Sequence, residues 1–407
     1  MREMKDSGHE TIGLVPSDWT EKRLKYLCKI QTGNEDTQNA NPEGKYPFYV
    51  RSPIVEHCDR YTFDGEGILV AGDGAGAGRI FHHVYGKYAV HQRVYRLSHF
   101  AGNADFIYYY LSNLFPHEMD KGSAQSTVPS MRLPMLLNFP LFLPSKKEQD
   151  KIVTFLDSKC SEIDAISADI QKEIEILEQY KRSVITEAVT KGLNPDVEMK
   201  DSGIEWVGNV PDHWGVLANK YVMKKRKDIC TKWNGENVLS LTMNGVIVRD
   251  LDNPVGKMPT TFDGYQFVYS GNLLMCLFDY DVTPRCVGIV KNAGVTSPAY
   301  SRFELKENAT LEYFYYYYLM IDFTKELLHL AKNLRHSFTE EQLGALKVPL
   351  PPLDEQKNIA TYLDSKCKEI ESVIASKKQQ LEVLDSYKKS LIYEYVTGKK
   401  EVPMYES

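Results

Sequence analysis

The sequence predicts an α+β protein: two β-rich domains in tandem, each followed by a long α-helix. The two helices are expected to pair as an antiparallel coiled coil with pseudo-two-fold symmetry. Two observations carry this expectation, a frame of residues that occurs twice and a heptad seam that runs through both copies of its helical part. A third gives the frame its contents: the two stretches it encloses, 30–142 and 225–349, resist alignment by eye. The expected divisions are 1–142 and 198–349 for the β-rich domains, with helical regions at 143–197 and 350–407.

The frame opens with Met4-Lys5-Asp6-Ser7-Gly8, which recurs letter for letter as Met199-Lys200-Asp201-Ser202-Gly203. The match continues through Pro16/Pro211, Trp19/Trp214 and Lys25-Tyr26/Lys220-Tyr221. Its second block repeats Leu143-Pro144, Glu148-Gln149 and Asp157-Ser158-Lys159-Cys160 as Leu350-Pro351, Glu355-Gln356 and Asp364-Ser365-Lys366-Cys367. From there Leu156, Cys160, Ile163, Ile170, Ile174, Leu177 and Val184 recur in heptad spacing. So do Leu363, Cys367, Ile370, Ile374, Leu381, Leu384 and Leu391. Steps of four and three sustained this long are a coiled-coil seam, punctuated by Pro144 and Pro351 before the starts and by Gly192 and Gly398 at the ends. Glu148 to Lys191 spans about 65 Å at 1.5 Å per residue. Two separate amphipathic helices, each on its own domain, are the plainer alternative; matching seams of matching length favour a pair.

Inside the frame, Tyr46–Arg51, Gly67–Ala71 and Gln92–Leu97 are short apolar or alternating runs bounded by Gly, Asp and Pro, as strands are. Asn237–Leu241, Asn272–Cys276 and Val287–Val290 match them in the second domain. Each domain also holds an aromatic helix, Phe106–Leu114 and Leu311–Met320. The run Tyr315-Tyr316-Tyr317-Tyr318 in the latter is expected to be a buried face rather than a stacking platform.

Composition and absent motifs bound the function. The chain has 407 residues, 43% hydrophobic and 26% charged, as globular proteins do, with net charge −6. No run is long and apolar enough to span a membrane. The charged opening Met1–Glu10 is no signal peptide, and seven scattered cysteines with no Cys-x-x-Cys pair suit reduced thiols, so a cytoplasmic location is expected. Gly72-Asp73-Gly74-Ala75-Gly76-Ala77 fits a relaxed dinucleotide fingerprint, but Arg79–Gly86 after it reads as strand and turn rather than helix, and no acid follows before Asp105. The loop is therefore a glycine-rich turn. There is no phosphate-binding P-loop and no Asn-Pro-Pro-aromatic methyltransferase signature. His82, His83 and His91 lack partners at metal-ligand spacing, so no metal is expected. The chain is expected to be no enzyme and to hold no cofactor of its own.

Charge is segregated. No acid lies between Asp73 and Asp105 or from Lys121 to Lys147, and in the second domain Val282–Phe303 and Leu327–Thr339 are also acid-free. Such windows suit local neutralisation of phosphates, and Arg, Asn and Gln are the side chains that read base edges. The candidates for DNA contact in the first domain are Arg51, Arg79, His82, His83, His91, Gln92, Arg93, Lys121, Ser123, Gln125 and Ser126. Those in the second are Arg285, Lys291, Tyr300, Arg302, Lys332, Asn333, Arg335 and His336. For any one of these, a solvated basic face is the competing account.

Duplicated Glu-Gln helices flanking divergent domains make the chain resemble the specificity subunit of a type I restriction-modification system. The resemblance spans nearly the whole length. Its strongest parts are the helical entries at 143–157 and 350–364 and the openings Ile12-Gly13…Val15-Pro16…Trp19 and Val207-Gly208…Val210-Pro211…Trp214. Gly122-Ser123-Ala124-Gln125 and His91-Gln92-Arg93-Val94 add to it. The resemblance implies that the β-rich domains are target recognition domains, each reading half of a split, asymmetric duplex target. It implies helices that set the gap and dock two methyltransferase subunits, with restriction/translocase subunits able to join. S-adenosylmethionine, ATP and Mg would then sit on those partners. The rival readings are a stand-alone bipartite DNA-binding or architectural protein, which needs no methyltransferase, and a coiled-coil adaptor, which has no salt-dependent DNA affinity.

Overall fold

A computed structural model describes residues 2–122, 129–254, 256, 258–331 and 336–403. The chain divides into two compact units, Met1–Ile170 with Gln379–Ser407, and Gln171–Lys378. This departs from cuts at 142, 197 and 349: each unit takes the first half of one long helix and the second half of the other. The cause is burial, since the two halves of each helix pack in different cores.

Unit 1 begins with β1 (Met4–Asp6), β2 (Leu14–Pro16), β3 (Thr20–Arg23) and β4 (Lys29–Thr32). It continues with β5 (Tyr46–Tyr49), β6 (Glu56–Cys58), β7 (Phe63–Asp64), β8 (Gly67–Ala71), β9 (Phe81–Val84), β10 (Lys87–Val90) and β11 (Val94–Ser98). Then come α1 (Ala104–Gly122), α2 (Leu133–Leu137), β12 (Pro140–Leu143) and the start of α3 (Lys146–Lys191). Two four-stranded sheets result, ordered β6-β5-β10-β7 and β4-β11-β8-β9, with β5 and β10 parallel. Strand β8, flanked by β11 and β9, is buried at all five residues, which is why it reads as an unbroken apolar run.

Unit 2 repeats the order. It holds β13 (Met199–Asp201), β14 (Asn209–Pro211), β15 (Gly215–Ala218), β16 (Met223–Arg226), β17 (Val238–Thr242), β18 (Gly245–Val248) and β19 (Gln266–Val268). After these come β20 (Leu273–Met275), β21 (Val287–Ile289), β22 (Gly294–Thr296), β23 (Ser301–Leu305), α4 (Leu311–Thr324), α5 (Glu340–Ala345), β24 (Lys347–Leu350) and α6 (Leu353–Val396). Its sheets are β18-β17-β22-β19, with β17 and β22 parallel, and β16-β23-β20-β21. Strand for strand this is the topology of unit 1, although the residues do not align. The six expected strands are present to within two residues at either end, and both aromatic helices form.

The repeated letters hold the frame together. Gln149 is buried at the start of α3; its amide donates to Pro144 O at 3.0 Å and its Oε1 accepts from Asn103 N at 3.1 Å, tying α3 to the start of α1. Gln356 does the same through Pro351 O at 2.9 Å and Thr310 N at 2.8 Å. Tyr109 donates to Asp157 and Tyr316 to Asp364, each at 2.7 Å. Trp19 and Trp214 are buried, edge-on to Phe106 and Tyr313. Gly398, at φ 69°, closes on Trp19, and Gly192, at φ 76°, on Trp214; a Cβ at 398 would collide with the Pro16 ring and the Trp19 indole.

Helices α3 and α6 have 46 and 44 residues and run antiparallel wherever they meet within a unit. In unit 1 Phe155 stacks on Tyr395 at 4.5 Å and Lys388 bonds Asp164. In unit 2 Lys181 pairs with Glu371, and Lys377 with Glu173. Of the seam residues in unit 1, Leu156, Cys160, Ile163 and Leu391 are buried, while Ile170, Leu381 and Leu384 are half-buried. In unit 2 Ile174, Val184, Leu363, Cys367, Ile370 and Ile374 are buried and Leu177 half-buried. The tyrosine run of α4 is buried at Tyr316, Tyr317 and Tyr318 and half-buried at Tyr315, as a core face should be. Among the described residues no helix is long and apolar enough to cross a membrane.

Candidate nucleic-acid interface

Sheet pairing in unit 1 gathers residues that lie far apart in sequence. Strand β11 lies between β4 and β8, so the turn before it, the loop after β8 and the segment after β4 share one edge. There Asp73 receives Arg51 at 2.8 Å and Arg93 at 2.5 Å, and the preceding residue, Gln92, donates to Asp36 at 2.7 Å. Burial works to raise the Asp73 carboxyl, but the hydrogen bonds from Arg93 and Arg51 outweigh it and hold the group below its ordinary value. One carboxylate thus orients two arginines whose side chains are 42% and 61% exposed. That is a preorganised cationic fork suited to phosphate or to a guanine edge.

The other candidates of unit 1 are spent differently. Arg79 pairs with Asp120 of α1. His82 bonds Ser52 O at 3.3 Å and packs on Tyr49; burial lowers its pKa against that hydrogen bond. Both ring nitrogens of His83 face carboxylates, Glu66 at 3.1 Å and Asp105 at 3.0 Å, and its ring stacks on Tyr108. His91 is a correction. It is only 3% exposed, bonds Thr37 Oγ1 at 3.2 Å and accepts from Arg93 N, so it shapes the turn from inside and offers nothing to a duplex. Burial and the nearby Arg51 charge lower its pKa. Lys121 lies in the last turn of α1, whereas Ser123, Gln125 and Ser126 lie outside the described residues.

In unit 2 Arg285, donating to Tyr315 Oη at 3.3 Å, and the exposed Lys291 line one groove of about 1020 Å³ beside the β17–β18 turn. His336 pairs with Asp281 at 3.0 Å. One expectation is overturned here. Arg302 is 5% exposed; it donates to Phe267 O at 3.0 Å and stacks over Tyr269, a core brace rather than a contact. Tyr300 is half-buried against Phe278, and its carbonyl accepts from Gln266. Lys332, Asn333 and Arg335 lie outside the described residues.

The sequence windows missed the acids that organise the site. Asp36 lies well before the acid-free run and Asp73 at its edge, yet the sheet brings both onto the basic cluster. No one-dimensional signal marks them.

The family model for the type I restriction modification DNA specificity domain matches residues 16–176 and 282–383, more than half the chain and once in each repeat. The chain belongs to this family. Two curated relatives match over nearly their whole lengths. One is the EcoDI type I restriction enzyme specificity subunit of Escherichia coli, 21% identical over 90% of this chain and 86% of its own. The other, the MjaVIII specificity subunit of Methanocaldococcus jannaschii, is 26% identical over 95% and 94%. A solved structure concerned with complex assembly and conformational transition of the type I R-M system superposes at TM-score 0.65. It is 14% identical and covers 95% of this chain and 99% of its own, a likeness of fold.

Proposed function

We propose that the chain is the non-catalytic DNA-reading subunit of a type I restriction-modification complex, each unit reading one half of a bipartite duplex target. The observation that carries this is two units of one topology presenting unlike polar surfaces, Arg51–Asp73–Arg93 in one and Arg285 with Lys291 in the other. A common scaffold with different contacts is what reading two different half-sites requires. Helices α3 and α6, shared by both units, set the gap and dock two copies of a methyltransferase subunit. A restriction/translocase subunit completes the complex, which works on DNA in the cytoplasm. S-adenosylmethionine, ATP and magnesium belong to those partners; the lack of nucleotide and methyltransferase fingerprints in this sequence supports that division of labour.

The test is to produce the chain with its methyltransferase subunit and sequence the methylated sites. A split motif with a fixed gap is expected, and no methyl transfer or nucleotide hydrolysis by the chain alone. Methylation without the partner, or a motif that depends on only one unit, would overturn the reading.

A further inference from the structure

Two hairpin turns border the contacts described above: Arg51 lies in the first, and the second lines the groove of Arg285 and Lys291. Strands β5–β6 and β17–β18 form the same hairpin in the two units, and each turn holds a large aliphatic side chain in solvent. Ile54 is 73% exposed and Met243 57%. Single exposed aliphatics are ordinary on protein surfaces. The topologically equivalent turn in two domains whose residues do not align is a different matter: residues 50–55 form it in one unit and Met243-Asn244 in the other, so what recurs is the placement between equivalent strands.

The surroundings recur as well. Each turn lies against the equivalent strand. Ser52 O bonds His82 of β9, while Gly288 of β21 leaves space for Leu241 and Val246, which a Cβ there would meet at 2.7 and 2.8 Å. Each of those strands begins two residues after an arginine, Arg79 and Arg285, and each arginine reaches the aromatic helix of its unit. Neither turn holds an acid between residues 50 and 55 or 242 and 249. An apolar tip with arginines beside it suits nucleic acid: the cations suit phosphate, and the aliphatic suits a thymine methyl or an opened base step.

We infer that Ile54 and Met243 are the side chains that press on the bases of the DNA, one in each half-site. Arg51 in the first turn and Arg285 beside the second are placed to hold the flanking phosphates. This rests on the proposed DNA-reading function and adds to it the element that does the reading.

The test uses the full chain assembled with its methyltransferase subunit, read by sequencing of methylated sites. Ile54→Ser should cut methylation about tenfold, or relax the preferred base, in one half of the motif. Met243→Ser should do so in the other half, and Ile54→Leu should restore most of the wild-type pattern. Both side chains are exposed, so the melting temperature should stay unchanged, which separates a reading defect from a folding one. Serine variants that keep the wild-type motif and rate, or that change both halves alike, would overturn the hairpin assignment alone. A wild-type complex lacking any bipartite methylation would overturn the parent reading, and the hairpin assignment with it.

Discussion

Lys388 donates to both carboxylate oxygens of Asp164, at 2.6 and 2.7 Å, and the second unit repeats that pair as Lys181 on Glu371. Both lysines occupy seam positions that an uninterrupted heptad would fill with an apolar side chain. A polar residue there costs stability but fixes the register and direction of the helix pair. The ion pair itself is worth little, because Asp164 is 63% exposed. Asp164→Ala should therefore cost under about 1 kcal/mol. Leu156→Ala or Leu363→Ala, at side chains with no exposure, should cost about 2–5 kcal/mol in urea unfolding of the whole chain. Equal losses at both kinds of site would show that the charges, not the seam, hold the helices.

Acid should weaken unit 1 through His82 and His91. Burial favours the neutral form of both rings, so each binds a proton less readily folded than unfolded, below the ordinary value of 6.5. The unfolded chain then takes up more protons as pH falls through 6.5, and stability present above that pH is lost toward the lower folded values. Thermal unfolding between pH 7.5 and 5 should show a falling midpoint, and His82→Gln should reduce the fall. An acid-insensitive midpoint would mean that both rings can charge where they stand.

Exchanging 30–142 for the counterpart of another specificity domain should change one half of the methylated motif and leave the other. The exchange cuts within β4 and β12, and Tyr109 on α1 bonds Asp157 outside the exchanged segment, as Tyr316 bonds Asp364 in the other unit. An incoming segment without that tyrosine should express less stably while still altering only one half-site. A motif changed in both halves would end the correspondence of one unit to one half.

The long helices, their seam, the aromatic core faces and the glycine-rich turn were legible because each is a local pattern with a period or a fixed spacing. The kinship of the two variable domains was not, since it lies in strand order. Strands of three residues such as Glu56–Cys58 and Gln266–Val268 carry no period to detect. The acid-free windows misled for a related reason. A window is contiguous, but a sheet edge is not, and Asp36 and Asp73 reach Gln92 and Arg93 from outside it. Nor could charge alone reveal that Arg302 faces inward, where the Phe267 carbonyl and the Tyr269 ring satisfy it.

Thr190, where the first helix hands over to the second domain, is an inviting place to lengthen the chain, but it is buried, and Ala188 and Val189 beside it belong to the core of unit 2. An insertion there should unfold rather than extend. The division of the units instead falls between Ile170 and Gln171 and between Lys378 and Gln379. Because the helices pair antiparallel, both must be lengthened together, and one heptad in each keeps the seam in register. Seven residues add about 10 Å of helix, close to three base-pair steps. The methylated motif should keep both halves and widen its gap by about three base pairs. Three base pairs also turn the duplex by roughly 100°, at 10 to 10.5 per turn, a rotation the added heptad does not follow. The methylation rate should therefore drop while the new gap is preferred. Full methylation at the original gap would show that α3 and α6 do not measure the spacing.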